Sequence, residues 1–153
     1  MKPNLLIGDY IFVSKFSYGY SRYSFPLGLN LFEGRVNYTA PKRGDVAVFR
    51  LPSAPSINYV KRIMGLPGDK IQVRDGVVYI NNQKINRIRD GIFVDQGLEM
   101  KTASISKFSE TLPEGRVIQV LDQNESPQDN TGIYEVPQGH YFMMGDNRDN
   151  SQE

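Results

Sequence analysis

Asp75-Gly76 stands between Ile71-Gln72-Val73-Arg74 and Val77-Val78-Tyr79-Ile80, and that arrangement leaves the chain few options. Both central positions of a type I′ turn need positive φ, which glycine adopts freely and aspartate tolerates, so the two flanking runs are expected to form a tight β-hairpin. The same grammar recurs along the chain. Runs of four to seven residues rich in Val, Ile, Phe and Tyr alternate with Gly, Pro, Asn and Asp clusters, and no window combines sustained 3.6-residue periodicity with helix caps. The expected fold class is therefore mostly β. Strand candidates are Ile7 to Lys15, Asp45 to Leu51, Asn58 to Met64, Lys70 to Arg74, Val77 to Ile80 and His140 to Met144.

A chain of 153 residues, 39% of them hydrophobic, is long enough for one core, or for a core carrying a smaller satellite. Residues 81–134 are richer in Asn, Gln, Ser, Lys and Glu, and the apolar pattern returns at Tyr134 to Val136 and Tyr141 to Met144. The chain is thus expected to leave its main sheet near residue 76 and to rejoin it near 135. On this reading 1–76 and 135–153 form the main β core and 77–134 an inserted β-rich satellite domain. No internal repeat is present.

Charge removes nucleic acid as a general partner, since 18 basic and 17 acidic residues leave a net charge of only +1. Zero cysteines exclude disulfides, thiolate metal sites and cysteine nucleophiles together. The single histidine, His140, gives no basis for a His-based triad or metal centre, and its neighbours Gly139 and Tyr141 make it a strand-entry residue. No metal and no cofactor are expected. No stretch approaches the ~18 consecutive apolar residues of a membrane span, and the sequons at Asn37 and Asn124 carry no weight.

Two segments carry candidate chemistry. In Asn58-Tyr59-Val60-Lys61-Arg62-Ile63-Met64, strand alternation puts Lys61 on one face with Tyr59 and Ile63, and Arg62 on the other with Val60 and Met64. A lysine among apolar neighbours is either an edge-strand charge that discourages aggregation or snorkels to solvent, or else a base whose ammonium form is disfavoured by burial. The second segment, Gly145-Asp146-Asn147-Arg148-Asp149-Asn150-Ser151, follows an apolar strand. It reads as a tied turn in which Arg148 pairs with either aspartate.

Taken in order, these segments resemble the boxes of bacterial type I signal peptidases over nearly the whole chain. Met1-Lys2-Pro3 with Leu5 to Val13 resembles the stretch after the nucleophile in Ser-Met-x-Pro, and Lys42 to Phe49 resembles the next box. Tyr59 to Asp69 resembles the lysine box, and Gly145 to Ser151 the Gly-Asp-Asn-Arg-Asp-Asn-Ser box. The resemblance implies a twisted, mostly antiparallel β core with a β-rich insertion. It also implies a membrane-anchored serine endopeptidase that removes signal peptides from exported preproteins after small residues (Ala-x-Ala), at the outer face of the bacterial inner membrane. Lys61 matches the general base and Ser151 the serine that orients it. Asp146, Arg148 and Arg62 match residues that support the site, while Met1, Tyr59 and Val60 fall where substrate binds.

The matching serine nucleophile falls immediately before Met1, so the 153-residue chain alone is expected to be inactive. The family's anchoring segment is absent too, Glu153 stands where the family usually has Asp, and the chain ends before the Ser-Arg that completes the last box. Self-cleaving repressors also use Ser-Lys chemistry, but their Ala-Gly scissile bond and DNA-binding helical domain are missing here. A β domain that only binds extended peptides by strand addition is the rival from another class. The aromatic-rich segment Phe16 to Phe32, with Arg22 as its only charge, suits either a bilayer surface or packing on the core or over the substrate groove.

Overall fold

The computed structural model describes residues 1–14, 17–18, 39–51, 54–96, 102–123 and 126–150. Ten strands follow one another among the described residues: β1 (Val46–Leu51), β2 (Ala54–Gly65), β3 (Lys70–Arg74), β4 (Val77–Ile80), β5 (Gln83–Lys84), β6 (Asn86–Gln96), β7 (Thr102–Thr111), β8 (Val117–Asp122), β9 (Tyr134–Glu135) and β10 (Phe142–Met144). They form three antiparallel sheets with orders β1-β2-β10, β5-β4-β3-β9 and β6-β7-β8. Among the described residues the only helical element is a 3-10 turn at Pro127–Asp129. The mostly β expectation therefore holds.

The hairpin forms where the sequence puts it. Asp75 and Gly76 both take positive φ, 47° and 72°, and Arg74 pairs with Val77 across the turn. The β3 and β4 bounds match the sequence reading, β2 begins four residues earlier than expected, and β10 starts only at Phe142. His140 remains in a turn, its backbone N–H donating to Pro137 O, with its ring Nδ1 3.0 Å from Gln138 O.

Ile7 to Lys15 departs from expectation, because its described residues form turns and irregular backbone instead of a strand. Gly8 takes φ +98° at the start of the run. Tyr10 and Phe12 are fully exposed, and no ladder involving these residues exists among the described ones. Alternating apolar residues need a partner strand and a face to bury, and among the described residues this run has no partner strand. It falls mostly in a separate unit, Gly8–Lys42, while Met1–Ile7 and Arg43–Glu153 make the main one. Apart from Ser17 and Tyr18, the aromatic segment Phe16 to Phe32 lies outside the described residues.

One apolar cluster supports the main unit. Met64 from β2, Ile71 and Val73 from β3, Val78 and Ile80 from β4, Leu112 beyond β7, Ile118 and Val120 from β8, and Met144 from β10 pack together, with Ile85 and Val136. All three sheets contribute to it. Gly65 sets how closely β10 approaches β2, since a Cβ there would lie 2.8 Å from Phe142 Cβ and 2.9 Å from Ile71 Cγ1. The register slips at that point, between Phe142 and Met143, and β10 then leads into the loop Gly145–Asn150.

Candidate active site

Lys61 lies on β2, the middle strand of its sheet, opposite Ala47 of β1. It is 8% exposed. That burial speaks against the solvent-exposed readings: Lys61 pairs with Ala47 of β1, and β10 joins the other side of β2 from the next residue, Arg62, onward. Lys61 lines a cavity of about 360 Å³ together with Met1, Tyr59, Val60, Gly145, Asn147 and Asn150. The lysine segment, the chain start and the polar loop after β10 therefore meet in one place. A larger groove of about 780 Å³ shares Tyr59 and Lys61 with this cavity and continues along Phe49, Tyr134 and Tyr141 to Met144, reaching Arg148.

The polar loop is held by two buried guanidinium forks. Arg62, next to Lys61 on the opposite face of β2, donates from Nε and Nη2 to the two oxygens of Asp146, each at 2.8 Å, and from Nη1 to Gly44 O at 2.7 Å. Asn4 Nδ2 adds a bond to Asp146 Oδ2 at 2.7 Å, which ties the chain start to the same carboxylate. Arg148 forms the second fork, and here the expectation of an aspartate partner is corrected. Its guanidinium donates to both oxygens of Glu110 on β7, with Nη1 at 3.2 Å. Geometry decides the pairing: Asp146 is already taken by Arg62, and Asp149 turns to accept the backbone N–H of Gln123.

The loop backbone is pinned as well. Leu121 N–H donates to Asp146 O at 2.8 Å and Arg148 N–H to Leu121 O at 2.9 Å, forming a parallel bridge between Leu121 and Asn147. Asn147 is buried, and its Oδ1 has no hydrogen-bond partner among the described residues. Ser151, the residue matched to the lysine-orienting role, lies outside the described residues.

A third framework holds the turn after β2. Arg43 donates to Asp69 at 2.9 Å and to Met64 O, and its Nε binds Glu114 at 2.9 Å. Burial opposes ionisation of Asp69, but bonds from Leu66 N–H, the Asn81 carboxamide and Arg43 outweigh it and hold the carboxyl below the ordinary carboxylate range. Sequence reasoning missed Arg43, Asp69 and Glu110 as buried charges. A signal existed for Glu110: in β7 alternation it shares a face with Phe108 and, one step past the strand, with buried Leu112, the same pattern that singled out Lys61.

Asp122, Asp129 and Asp149 bring carboxylate oxygens within 4.8 Å of one another, a donor set of the kind hard cations take. Arg87 also binds Asp122 and supplies positive charge there. Burial first, and Asp149 next to it, push the Asp122 carboxyl above its ordinary range despite Arg87.

Comparisons with known proteins agree with the sequence resemblance. The sequence is 44% identical over 165 residues to signal peptidase I of Rickettsia typhi and of Rickettsia prowazekii, and 42% identical over 164 residues to that of Rickettsia canadensis. Each match covers 100% of this chain and 60% of the relative, so the chain spans under two thirds of their length. A crystal structure of a signal peptidase I from Enterococcus faecalis V583 aligns with a TM-score of 0.39 and 22% identity, covering 75% of this chain and 84% of that one. The family model described as signal peptidase, peptidase S26, matches residues 1–153, and the chain belongs to that family.

Proposed function

We propose that this chain forms the catalytic part of a serine endopeptidase that removes signal peptides from exported preproteins after small residues, with Lys61 as general base. The observation that carries this reading is the convergence of Met1, Lys61, Gly145 and Asn147 on one cavity. The nucleophile is the serine that the family pattern puts immediately before Met1. Its hydroxyl attacks the scissile carbonyl carbon while Lys61 Nζ takes the proton. The tetrahedral intermediate collapses to an ester as the proton passes to the leaving amine, and water then releases the acyl group by the same route in reverse. A lysine does this only as a neutral amine, and burial is the condition under which desolvation favours that form. Ser151 orients the amine by a hydrogen bond without adding charge.

The groove that continues from Lys61 along Tyr59, Phe49, Tyr134 and Phe142 is the place for an extended peptide. Tyr59, Val60 and Met1 contact the residues next to the scissile bond. Asp146, Arg62 and Arg148 hold the site in register. Residues 77–134 act as an insertion whose β6-β7-β8 sheet is not hydrogen-bonded to the β1-β2-β10 sheet but packs into the same apolar cluster. The protein works at the outer face of a bacterial inner membrane, where the exposed Tyr10, Ile11, Phe12 and Val13 and the aromatic run up to Phe32 suit a lipid surface. Loss of liposome flotation on replacing Tyr20, Tyr23 and Phe25 with Ser tests that placement, and unchanged flotation removes it.

The mechanism is tested by turnover of an Ala-x-Ala peptide by a protein that carries the upstream serine. Lys61→Met is expected to lower kcat by at least about a thousandfold with the fold intact. Lys61→Arg also fails, because a guanidinium does not deprotonate. Ser151→Ala costs less, since it removes orientation alone. Near-normal turnover with Met at position 61 overturns the mechanism.

A further inference from the structure

Glu110 is fully buried on β7, outside every segment that resembles a family box, and yet it receives the fork of Arg148 from the loop facing Lys61. Its other neighbour is Arg87 of β6, whose Nε lies 3.9 Å from Glu110 Oε1. Arg87 in turn binds Asp122 of β8, donates to Gly76 O at 2.6 Å, and stacks over Phe108 with its guanidinium 3.9 Å from the ring centroid. Glu110 and Asp122 thus face the guanidiniums of Arg87 and Arg148, and the second of these belongs to the polar loop.

We propose that Glu110 is a positioning residue for the peptidase reaction, acting through Arg148 to fix where the loop Gly145–Asn150 stands against Lys61. The inference rests on the catalytic reading above and extends it to a sheet from which no described residue lines the cavity. Buried ion pairs add little net stability over well-packed apolar pairs, so what this one supplies is geometry. Arg148 follows Asn147 directly, and Gly145, Asn147 and Asn150 share the cavity with Lys61. Two constraints act on this short loop from opposite sides, Arg62 on Asp146 from β2 and Glu110 on Arg148 from β7. Releasing the second loosens the half of the loop that includes Asn150, leaving the backbone bridge to Leu121 and the bond from Gln123 N–H to Asp149 as its ties. Catalysis depends on distances that tolerate displacements well under an ångström.

The experiment compares Glu110→Gln, Arg148→Gln and the double variant in the protein carrying the upstream serine, with thermal midpoints measured beside kinetics taken well below them. Each single change is expected to lower kcat about tenfold or more while KM stays within about threefold. The double is expected to be no worse than the weaker single, because the two side chains act as one unit. A merely structural role moves the midpoint alone. Parent-like kcat in a folded Glu110→Gln, or singles whose effects multiply in the double, overturns the inference. Should Glu110→Gln not fold, Glu110→Asp retains the charge at shorter reach. It is expected to cost about threefold or more in kcat, and parent-like kcat in it counts equally against the idea. Lys61→Met in the same series separates the two claims: activity surviving that change sinks the catalytic reading, whereas activity lost there but retained in Glu110→Gln sinks only the role of Glu110.

Discussion

The sheet that carries Lys61 and the sheet that carries Glu110 both hold the same loop by a buried arginine fork, but they are built differently. On the β2 side the arginine comes from the strand and the carboxylate from the loop: Arg62 binds Asp146, and Asn4 adds a neutral donor to that carboxylate. On the β7 side the roles are reversed, with the arginine in the loop and Glu110 in the strand. The Asp146 carboxylate receives three bonds from two side chains, one charged, Arg62, and one neutral, Asn4. Glu110 faces two guanidiniums and has no neutral donor among the described residues. The lesson is one of fragility: Arg148 has no side-chain acceptor besides Glu110 among the described residues, whereas Arg62 also has Gly44 O, so the β7 fork tolerates loss of its carboxylate less well.

The largest expected effect breaks the β7 side. Glu110→Ala leaves the Arg148 side chain, 8% exposed, without an acceptor among the described residues, while Arg87, 7% exposed, keeps Asp122 and Gly76 O. A loss of about 3–5 kcal/mol is expected, readable as the shift in urea midpoint at unchanged m-value. A loss under about 1 kcal/mol would show that the guanidiniums find water. The β2 side should be gentler. Asp146→Asn keeps an acceptor for Arg62 but turns one carboxylate oxygen into a donor facing Asn4, and about 1–3 kcal/mol is expected. If this variant proves the more damaging of the two, the proposed difference in load sharing is wrong. A pair substitution should be gentler still. Arg62→Met with Asp146→Leu removes both charges at once and is expected to stay within about 1–2 kcal/mol of the parent, far closer than Arg62→Met alone.

Legibility in the sequence divides along the same line. Strand alternation marks Lys61 as a lysine among apolar neighbours and leaves its role to the family resemblance, whereas the Asp75-Gly76 hairpin is readable to its residue bounds because turn chemistry is local. Arg62, Asp146 and Met1 were named through motifs that the fold then brings together. The Arg148 partner was not readable. Thirty-eight positions separate Glu110 from Arg148, and a charged residue in a polar stretch ordinarily means solvent. Ile7 to Lys15 failed for a related reason: alternation says that a strand is possible, whereas a strand forms only where a partner edge waits for it. Arg43 and Asp69 looked like ordinary turn-to-strand residues, since nothing in Lys42-Arg43-Gly44-Asp45 reveals that one of two adjacent cations folds inward to meet the turn at Leu66.

The smallest expected effect sharpens the comparison through pH, using one carboxylate from each side. Asp69, at the Arg43 corner beside β2, has its folded pKa held below its ordinary value of 3.8 by its donors. A depressed acid contributes stability that is present above 3.8 and lost as pH falls through the lower folded value. Asp122, at the far end of the Glu110 set, has its folded pKa raised above 3.8 by burial and by Asp149. Its contribution has the opposite sign, fully present below 3.8 and lost as pH rises through the higher folded value. Asparagine at either position removes the titration and reports its direction. Relative to the parent, Asp69→Asn should lose thermal stability between pH 3 and pH 7, while Asp122→Asn should gain it, each by about 2–4 °C at most. Differential scanning calorimetry of the three proteins at the two pH values reads both signs directly. Parallel shifts in the two variants would mean that the carboxylates share one environment, and that the contrast between a well-donated corner and a crowded acidic end does not hold.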